Sequence, residues 1–506
     1  MPRFSVTKIL FLISVIWGAA IFWFAPHPPM VDLPQHAGQI SLLHDLAIGR
    51  SNWSDLVRVN LFTPYLLGYG LAFPFSFLFP VATSIKIVLS AAFICYVMAA
   101  MALRRRYGGD ERLDWLFLLG FFGFAYNWGL FTFLVSAPIA LLLILYCSKY
   151  AVDPTRRKGL AVFGIGFLLL ASHGLAFVFA CGVGGIIYLI NARSVKGFLA
   201  NLWPFLGLAI ACGLYFIGSR MTEAELAAPY GAHVSWALGK HRLHETVLHA
   251  FGIAPRPVFI FAAAILLLAP WMLGLRPQWR NKSSWVMLMV VVLISFFVPN
   301  FALKTALLYQ RFAVFFLPAY ALAFAAGSMG RQAGLHGAAW NKTGRFVVVP
   351  LMILACWSVL GSYTVDARRF AKESEEIDAM IGRIEPGSRA LALIFSPESD
   401  VIRNPTIYSN YASWYQAEHK GFVDFNFAWF PPQIVRFRPG RASPVDINFV
   451  PTEFDWKKYD AGQYRYFIVR QSGEVNADFF KGVACQPALV EAAGKWRIYE
   501  KSSCIR

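Results

Sequence analysis

The sequence predicts an α-helical polytopic membrane protein with about 11 spans, a re-entrant segment and a small C-terminal soluble α/β domain. Hydrophobic residues make up 57% of the chain and charged residues 15%, whereas soluble domains need about 25% charged residues. Apolar windows of about 18–20 residues, long enough to cross a bilayer, recur along the first part of the chain. Charges and prolines return after Tyr363, which predicts a transmembrane domain at 1–362 and a soluble domain at 363–506.

The first apolar window, from Ile9 to Phe24, follows Arg3 and Lys8 and resembles the start of a signal peptide. No small-residue cleavage site comes after it, because the chain continues into the proline-rich segment 25–29. We therefore interpret this window as an uncleaved first span.

Clusters of basic residues separate the apolar segments and indicate the orientation of the chain. Each pair of consecutive clusters encloses enough apolar sequence for a hairpin of two spans, so all clusters fall on the face that holds the N-terminus. Lys and Arg favour the cytoplasmic face, which also explains the net charge of +18 without a nucleic-acid partner. The clusters are Arg104–Arg106 with Arg112, Arg156–Lys158, Arg193 with Lys196, Arg276 with Arg280 and Lys282, and Arg331 with Lys342 and Arg345.

Residues 63–103 contain two apolar segments, although the charge pattern allows a single crossing there. Pro64, Pro74 and Pro80 interrupt the first segment, and proline removes a backbone hydrogen bond from a helix. We predict that residues 63–80 are re-entrant or strongly broken, which is tolerated where the backbone is buried in protein. The alternative is an additional true crossing, which would place the basic cluster at 104–112 outside.

The last predicted span, at about 347–360, delivers the C-terminal segment to the outer face. Residues 366–384 are predicted to form a helix that ends at Glu385-Pro386-Gly387. Alternating apolar residues at 390–395, 466–469 and 496–499 predict strands. Because about 140 residues are enough to bury their own core, we predict a small α/β domain on the outer side of the membrane.

The cysteines fit this organisation. Five of the seven lie in predicted spans, where a thiol behaves as a small hydrophobic group. Cys485 and Cys504 flank the last predicted strand, and an oxidising compartment would favour a disulfide between them. His241 and His244 are loosely spaced like metal ligands, but the spacing fixes no third ligand, so we predict no metal site and no cofactor.

The first predicted outer loop contains the segment Asp32-Leu33-Pro34-Gln35-His36. Asp32 and His36 are four residues apart, so both side chains would lie on one face of a helix. One interpretation is a carboxylate that faces a site at the boundary between lipid and water. The other is an exposed aspartate that caps the next helix. The local sequence favours neither.

This D-L-P-x-H loop, together with several other phrases, resembles the GT-C superfamily of membrane glycosyltransferases, in particular an uncharacterised bacterial branch. The other phrases are Gly120–Phe124 through Trp128–Phe133, Ser172-His173-Gly174 and Gln310-Arg311-Phe312, and the resemblance extends over about residues 8–360. It implies an inverting transferase that uses a polyprenyl-phosphate-linked sugar, with Asp32 as the base that deprotonates the acceptor. Many members carry a second acidic residue in a later outer loop, where this chain has Asn127-Trp128, so a metal-binding acidic pair is not expected.

Arg311 is the candidate for binding the donor phosphate, because its planar guanidinium can hold two phosphate oxygens. Lys304 would add a second positive charge, and the neighbouring Gln310 would contact the same substrate. For both cations the alternative is that the side chain extends to lipid headgroups. His173 interrupts an apolar run at the outer boundary, where it either contacts substrate or is hydrogen-bonded to a backbone carbonyl.

These residues predict a glycosyltransferase in the bacterial inner membrane that transfers a sugar to a glycolipid, polysaccharide or protein acceptor on the periplasmic side. Its partners would be the polyprenyl-phosphate-linked donor, a lipid or glycan acceptor and membrane lipids. His36, Asn127, Trp128 and His173 are predicted to contact substrate beside the catalytic Asp32. The alternatives are a transporter or flippase for a lipid-linked saccharide, which usually has two similar halves, and a non-catalytic envelope assembly protein.

Overall fold

The computed structural model describes residues 6–223, 234–236, 239, 241–302, 305–326, 335–445, 449–473, 480 and 486–501. The chain packs into two compact units. The first consists of Met1–Phe22, Val88–Gly218 and Ala228–Val365, and the second of Trp23–Ile87, Ser219–Ala227 and Asp366–Arg506. Lys304, Cys485 and Cys504 lie outside the described residues, so the second phosphate cation and the disulfide stay predictions.

The first unit is built mainly from apolar helices. Its helices are α1 (Val6–Ala20), the greater part of α4 (Val81–Arg106), α5 (Phe117–Gly120), α6 (Phe124–Trp128), α7 (Phe131–Val152), α8 (Arg156–Leu170), α9 (Gly174–Ile190), α10 (Val195–Ala200), α11 (Trp203–Glu223), α12 (His241–Leu248), α13 (Pro257–Met272), α14 (Lys282–Phe297), α15 (Phe316–Leu322) and the first part of α16 (Leu335–Arg383). Two short antiparallel pairs accompany them, formed by Leu275–Pro277 with Phe324–Ala326 and by Phe301–Ala302 with Thr305–Ala306.

Within the described part of the chain, four helical segments are long and apolar enough to cross a membrane. They are Val6–Trp23, Val81–Arg106, Phe131–Val152 and Phe346–Arg383. Five further apolar helical segments are 10–17 residues long: Leu66–Phe75, Gly174–Ile190, Trp203–Ser219, Pro257–Met272 and Lys282–Phe297. The predicted membrane character is therefore supported by the helices, while the number of about 11 spans stays a prediction.

The proline-interrupted segment forms a short helix, α3 (Leu66–Phe75), with Pro74 inside it. A helix of 10 residues has a length of about 15 Å, half of the hydrocarbon core. The chain then turns at 76–80 before α4 begins at Val81. This agrees with the prediction of a strongly broken segment.

The predicted last span and the predicted helix that follows it are one element. Helix α16 runs without interruption from Leu335 to Arg383, so residues 361–365, which the sequence analysis left between a span and a second helix, are helical. The residues at 361–365 include neither a proline nor a pair of glycines, and backbone hydrogen bonding continues through them. A loss of apolar character in the sequence therefore marks a change of environment without ending the helix.

The second unit contains a five-stranded sheet. Its strands are β6 (Arg389–Ile394), β7 (Phe422–Asp424), β9 (Tyr466–Arg470), β10 (Ala488–Ala493) and β11 (Trp496–Glu500), in the order β10-β11-β9-β6-β7. Strand β6 is parallel to both of its neighbours, β7 and β9, whereas β11 is antiparallel to both of its neighbours, β9 and β10. The strands predicted at 390–395, 466–469 and 496–499 are confirmed. Leu391, Phe467 and Val469 of these strands form a buried core together with Phe480.

Residues of the predicted first outer loop belong to this second unit. Helix α2 (Leu33–Ala47) packs against α17 (Ser413–His419), and a Cβ on Gly38 would lie 2.6 Å from Nε2 of Gln416, so a larger residue there would displace this side chain. The strand Val57–Val59 pairs with Val435–Phe437. The prediction of two domains divided at 362/363 did not include this association, because both contacts join residues nearly 380 positions apart.

Candidate active site

Asp32 occupies the N-cap position of α2, but its carboxylate does not cap the helix. The backbone of Asp32 is helical (φ −92°, ψ −5°), and the side chain accepts no hydrogen bond from the first turn. Instead, Oδ1 of Asp32 accepts a 2.9 Å hydrogen bond from Nδ2 of Asn410. The capping interpretation is therefore wrong, and the half-buried carboxylate is held by an amide from a distant part of the chain.

Asn410 is itself held in one orientation by Gln35. Nε2 of Gln35 donates to Oδ1 of Asn410 at 3.3 Å and to the carbonyl of Phe425 at 2.9 Å, while the Gln35 carbonyl oxygen accepts from the backbone N–H of Phe427. With its oxygen accepting from Gln35, the amide of Asn410 must present its nitrogen to Asp32. This arrangement fixes the orientation of a carboxylate that is partly exposed.

His36 lies one turn after Asp32 and is buried. Its Nδ1 is 2.6 Å from the hydroxyl of Tyr69, which in turn donates to Oε1 of Gln433 at 2.5 Å. Burial lowers the pKa of His36 to about 3, so the imidazole is neutral at physiological pH. His36 therefore orients α2 against Tyr69 and supplies no positive charge to a phosphate.

A second histidine of the same loop, His27, was missed in the sequence. Its Nδ1 is 3.1 Å from Oδ1 of Asp378 and its Nε2 is 3.2 Å from Oε1 of Glu418, while its ring stacks on Trp414 at 3.9 Å. Burial lowers the pKa of His27, but the hydrogen bonds and charges of the two carboxylates outweigh it and raise the pKa to about 9. The partner carboxylates come from α16 and α17, so no local signal in the sequence could identify this cluster.

In the first unit, Arg311 and His173 lie against the same ring, that of Phe133. The guanidinium of Arg311 is 5.8 Å from the centre of this ring, and the imidazole of His173 meets it edge-on at 5.0 Å. Nε and Nη2 of Arg311 donate to the carbonyls of Leu307 (3.1 Å) and Ala306 (2.7 Å). Arg311 is buried, which contradicts the alternative that it extends to lipid headgroups.

His173 has a defined structural contact. It is the N-cap of α9, where its Nδ1 accepts a hydrogen bond from the backbone N–H of Leu175 at 3.2 Å. Because Nδ1 accepts this bond, it is unprotonated in this arrangement. The sequence did not predict this capping function, and the contact of His173 with substrate stays a prediction.

The remaining predicted residues of the first unit stabilise turns. Nε2 of Gln310 donates to Asn300 at 2.7 Å, and its carbonyl oxygen is buried without a hydrogen-bond partner among the described residues. Nδ2 of Asn127 donates to the carbonyl of Gly123 and contacts the hydroxyl of Tyr363, both at 2.9 Å. The ring of Trp128 stacks on that of Phe124. These two hydrogen bonds give the Asn127 side chain a structural role.

Comparison with solved structures establishes the fold. ArnT from Cupriavidus metallidurans bound to undecaprenyl phosphate superposes with a TM-score of 0.60 at 11% identity, over 99% of both chains. Its apo form gives a TM-score of 0.58 over 97% of both chains. Arabinofuranosyltransferase AftD from Mycobacteria gives 0.51 at 12% identity over 99% of this chain. ArnT and AftD are both GT-C glycosyltransferases.

The chain has the GT-C fold.

The sequence-based prediction of a GT-C protein is confirmed at the level of the fold. The chain matches ArnT over 99% of both chains but spans only 40% of AftD. No protein-family profile and no curated protein matches the sequence. At 11–12% identity the fold is what the comparison shows, so the roles of individual residues rest on the geometry of this chain.

The predicted site residues are distributed over both units. Asp32 and His36 lie in the second unit, whereas Asn127, Trp128, His173, Gln310 and Arg311 lie in the first. Within the described ranges, no group of three or more His, Cys, Asp or Glu side chains has the arrangement of a metal site. The roles predicted for these residues, a base for Asp32 and a phosphate contact for Arg311, stay predictions.

The charged cluster at His27 gives a testable pH dependence. Because the pKa of His27 is about 9 in the folded protein and 6.5 for the ordinary side chain, its contribution is fully present below pH 6.5 and is lost as the pH rises through 9. This difference between the two pKa values corresponds to a contribution of at most about 3 kcal/mol to the free energy of unfolding. We expect His27→Gln to lower the melting temperature at pH 6.5 and to have little effect at pH 9.5.

His44→Gln is the matched control, since His44 lies in α2 of the same unit but contacts the neutral hydroxyl of Ser76 at 2.9 Å. Thermal melts of the full-length protein in detergent, recorded for both variants across this pH range, provide the measurement. A destabilisation by His27→Gln that stays constant from pH 6.5 to 9.5 would contradict the ion-pair explanation.

Proposed function

We propose that this protein is an inverting membrane glycosyltransferase that moves a sugar from a polyprenyl-phosphate carrier to a glycolipid, polysaccharide or protein acceptor on the periplasmic side. The proposal is supported by a fold shared with ArnT over 99% of both chains, in a structure of ArnT that holds undecaprenyl phosphate. The domain division at 362/363, about 11 spans and a location in the bacterial inner membrane with the C-terminal domain in the periplasm belong to the same proposal.

The observation that carries the proposal is the hydrogen bonding and partial exposure of the Asp32 carboxylate. A carboxylate at a helix N-terminus normally accepts from the first backbone N–H groups, and this one does not. It is half-buried and is oriented by the Asn410 amide, whose own oxygen is occupied by Gln35. An oriented, partly exposed carboxylate without a capping function has the properties required of a general base.

The proposed reaction is a single displacement at the anomeric carbon. Asp32 takes the proton of the acceptor hydroxyl while the acceptor oxygen bonds to the anomeric carbon. The bond between that carbon and the phosphate oxygen breaks on the opposite side, which inverts the configuration, and polyprenyl phosphate leaves. The leaving group is already a stable anion, so the protein has to provide a base and positive charge near the departing phosphate.

Arg311 is the proposed phosphate contact. Two of its donors bind carbonyls and its plane lies near Phe133, which holds the guanidinium in place at a buried position. A fixed guanidinium in a partly desolvated site interacts strongly with a phosphate. We propose that Gln310, through its unpaired carbonyl oxygen, and Lys304, His173, Asn127 and Trp128 complete the donor side, with His36 orienting the segment that carries Asp32.

The two other functions make different experimental predictions. Purified protein mixed with a synthetic polyprenyl-phosphate sugar and a cell-envelope extract that supplies acceptors should release polyprenyl phosphate if it is a transferase. A flippase would move the intact lipid-linked sugar between leaflets of a vesicle without cleaving it. An assembly protein would do neither. Movement of uncleaved donor, with no release of polyprenyl phosphate in the presence of any cell-envelope extract, would reject the transferase.

The orientation is tested by reporter fusions. Because basic clusters alternate with apolar hairpins, a periplasmic reporter fused after Tyr363 should be active, and a cytoplasmic reporter fused at Gly108 should be active. Alkaline phosphatase and green fluorescent protein fusions at both positions give opposite signals for the two faces. Phosphatase activity at Gly108 would instead show that 63–80 is a full crossing.

A further inference from the structure

A polar cavity of about 210 Å³ lies in the first unit, between the loop that joins α7 to α8 and the loop that joins α9 to α10. These loops and the helix starts that follow them, residues 152–158 and 191–197, contain five Lys or Arg and one acidic residue. The acidic residue, Asp153, already pairs with Lys158. The cavity therefore has positively charged surroundings.

Arg193 lines this cavity and has no hydrogen bond or ion pair within the described part of the chain. Its planar guanidinium can hold two oxygens of a phosphate. Ser194 also lines the cavity, and its hydroxyl oxygen accepts from the backbone N–H of Gly197 at 3.1 Å, so its O–H can donate to a ligand. These donors favour an anionic ligand.

Beside the polar cavity, an apolar groove of about 680 Å³ lies between α9 and α11. Tyr188 and Phe198 line both spaces, which therefore adjoin at these two rings. The rings stack with their centres 5.1 Å apart, and the hydroxyl of Tyr188 donates to the carbonyl of Phe198 at 2.8 Å. The combined space has an arginine at one end and apolar walls along the rest.

The groove has the length of one leaflet of a bilayer. It follows α9 from Phe177 to Leu189, a rise of about 18 Å at 1.5 Å per residue, whereas half of a hydrocarbon core is about 15 Å. Val178 and Leu189 are exposed, so the groove is open at the helix surface. Gly185 and Gly213 also line it, and a Cβ on either would meet no atom within 4 Å.

We infer that the two spaces form one binding site for an anionic glycerophospholipid, with its phosphate at Arg193 and one acyl chain in the groove. Basic pockets between membrane helices bind anionic headgroups, which matches the charge of the two loops. A groove of one leaflet fits an acyl chain better than a much longer polyprenyl chain. The predicted topology places both loops on the cytoplasmic face, and the inference does not depend on the proposed transfer reaction.

The inference is tested with the full-length protein in detergent, by a scintillation proximity assay with radiolabelled phosphatidylglycerol. The competitors are unlabelled phosphatidylglycerol, phosphatidylcholine with the same acyl chains, and inorganic phosphate in excess. We expect saturable binding, with phosphatidylcholine competing about tenfold more weakly or less, because its headgroup has no net charge. Inorganic phosphate should not displace the lipid, since it buries no acyl chain. Equal competition by the two lipids, or displacement by inorganic phosphate, would overturn the inference.

Two pairs of variants locate the binding. Arg193→Gln should lower the affinity for phosphatidylglycerol about tenfold or more, whereas Arg105→Gln makes the same change at an exposed arginine outside the cavity and should have little effect. Gly185→Phe fills the groove and should also weaken binding about tenfold. Gly182→Phe is its control, because Gly182 is in the same helix, is outside the lining and also has no atom within 4 Å of an added Cβ.

Unchanged affinity in both Arg193→Gln and Gly185→Phe would reject the site, and so would equal losses in each variant and its control. These outcomes are distinguishable from failure of the proposed function. A protein that releases polyprenyl phosphate from a donor but does not distinguish the two lipids is a transferase without this site. A protein that binds phosphatidylglycerol through Arg193 and never cleaves a donor has the site without the transfer reaction.

Discussion

Asp32→Asn should lower turnover by about a hundredfold or more while the protein remains folded and binds donor. The amide oxygen of the replacement can still accept from Nδ2 of Asn410, which now lies 2.9 Å from Oδ1 of Asp32, so the local structure should persist. What disappears is the ability to take the acceptor proton. The measurement is the rate of polyprenyl phosphate release under saturating donor, together with a donor-binding isotherm.

Asp45→Asn is the matched control for this experiment. Asp45 is a second carboxylate of α2, is buried, and pairs with Lys420 at 3.3 Å, without the adjacent residues that characterise the Asp32 segment. We expect its turnover to stay within about threefold of the unmodified protein, since it is not part of the proposed site. Full turnover in Asp32→Asn, or a loss that follows the loss of folded protein in both variants, would remove Asp32 as the base.

Arg311→Ala should weaken donor binding by about tenfold to a hundredfold, because a hydrogen bond to a charged group contributes about 1.5–3 kcal/mol. The variant should also be less stable, since the guanidinium holds the carbonyls of Ala306 and Leu307. Arg311→Lys retains a positive charge but not the planar arrangement, so it should restore donor affinity only in part. Affinity for undecaprenyl phosphate, measured by thermal shift or isothermal titration, separates binding from turnover.

Arg242→Lys provides the control for the structural component. Arg242 is also a buried arginine of the first unit that binds backbone carbonyls, among them that of Val298 at 2.8 Å, and stacks on Tyr309. Its substitution should cost stability and leave the affinity for undecaprenyl phosphate unchanged. If the Arg242 and Arg311 variants lose affinity and stability to the same extent, Arg311 acts through folding and the phosphate assignment fails.

Local composition was enough to predict several features. Long apolar windows identify helices that fit a bilayer, and alternating apolar residues identify β6, β9 and β11, because burial imposes these periods directly on the sequence. The resemblance of a few short phrases to GT-C proteins led to the fold that the comparison with ArnT confirms. Asp32 stood out for the same reason, as a carboxylate in a distinctive five-residue segment.

Everything that depends on long-range packing required the tertiary structure. Neither the hydrogen bond from Asn410 to Asp32 nor the ion pairs of His27 leaves a local pattern, since the partners are more than 350 residues apart. The continuity of α16 past residue 363 was hidden because a helix depends on backbone hydrogen bonds, which persist when the side chains change from apolar to charged. A cavity beside Asn410 is lined by Gln35 of α2 and by Ala392 of β6, which are far apart in the sequence, so no local pattern could predict it.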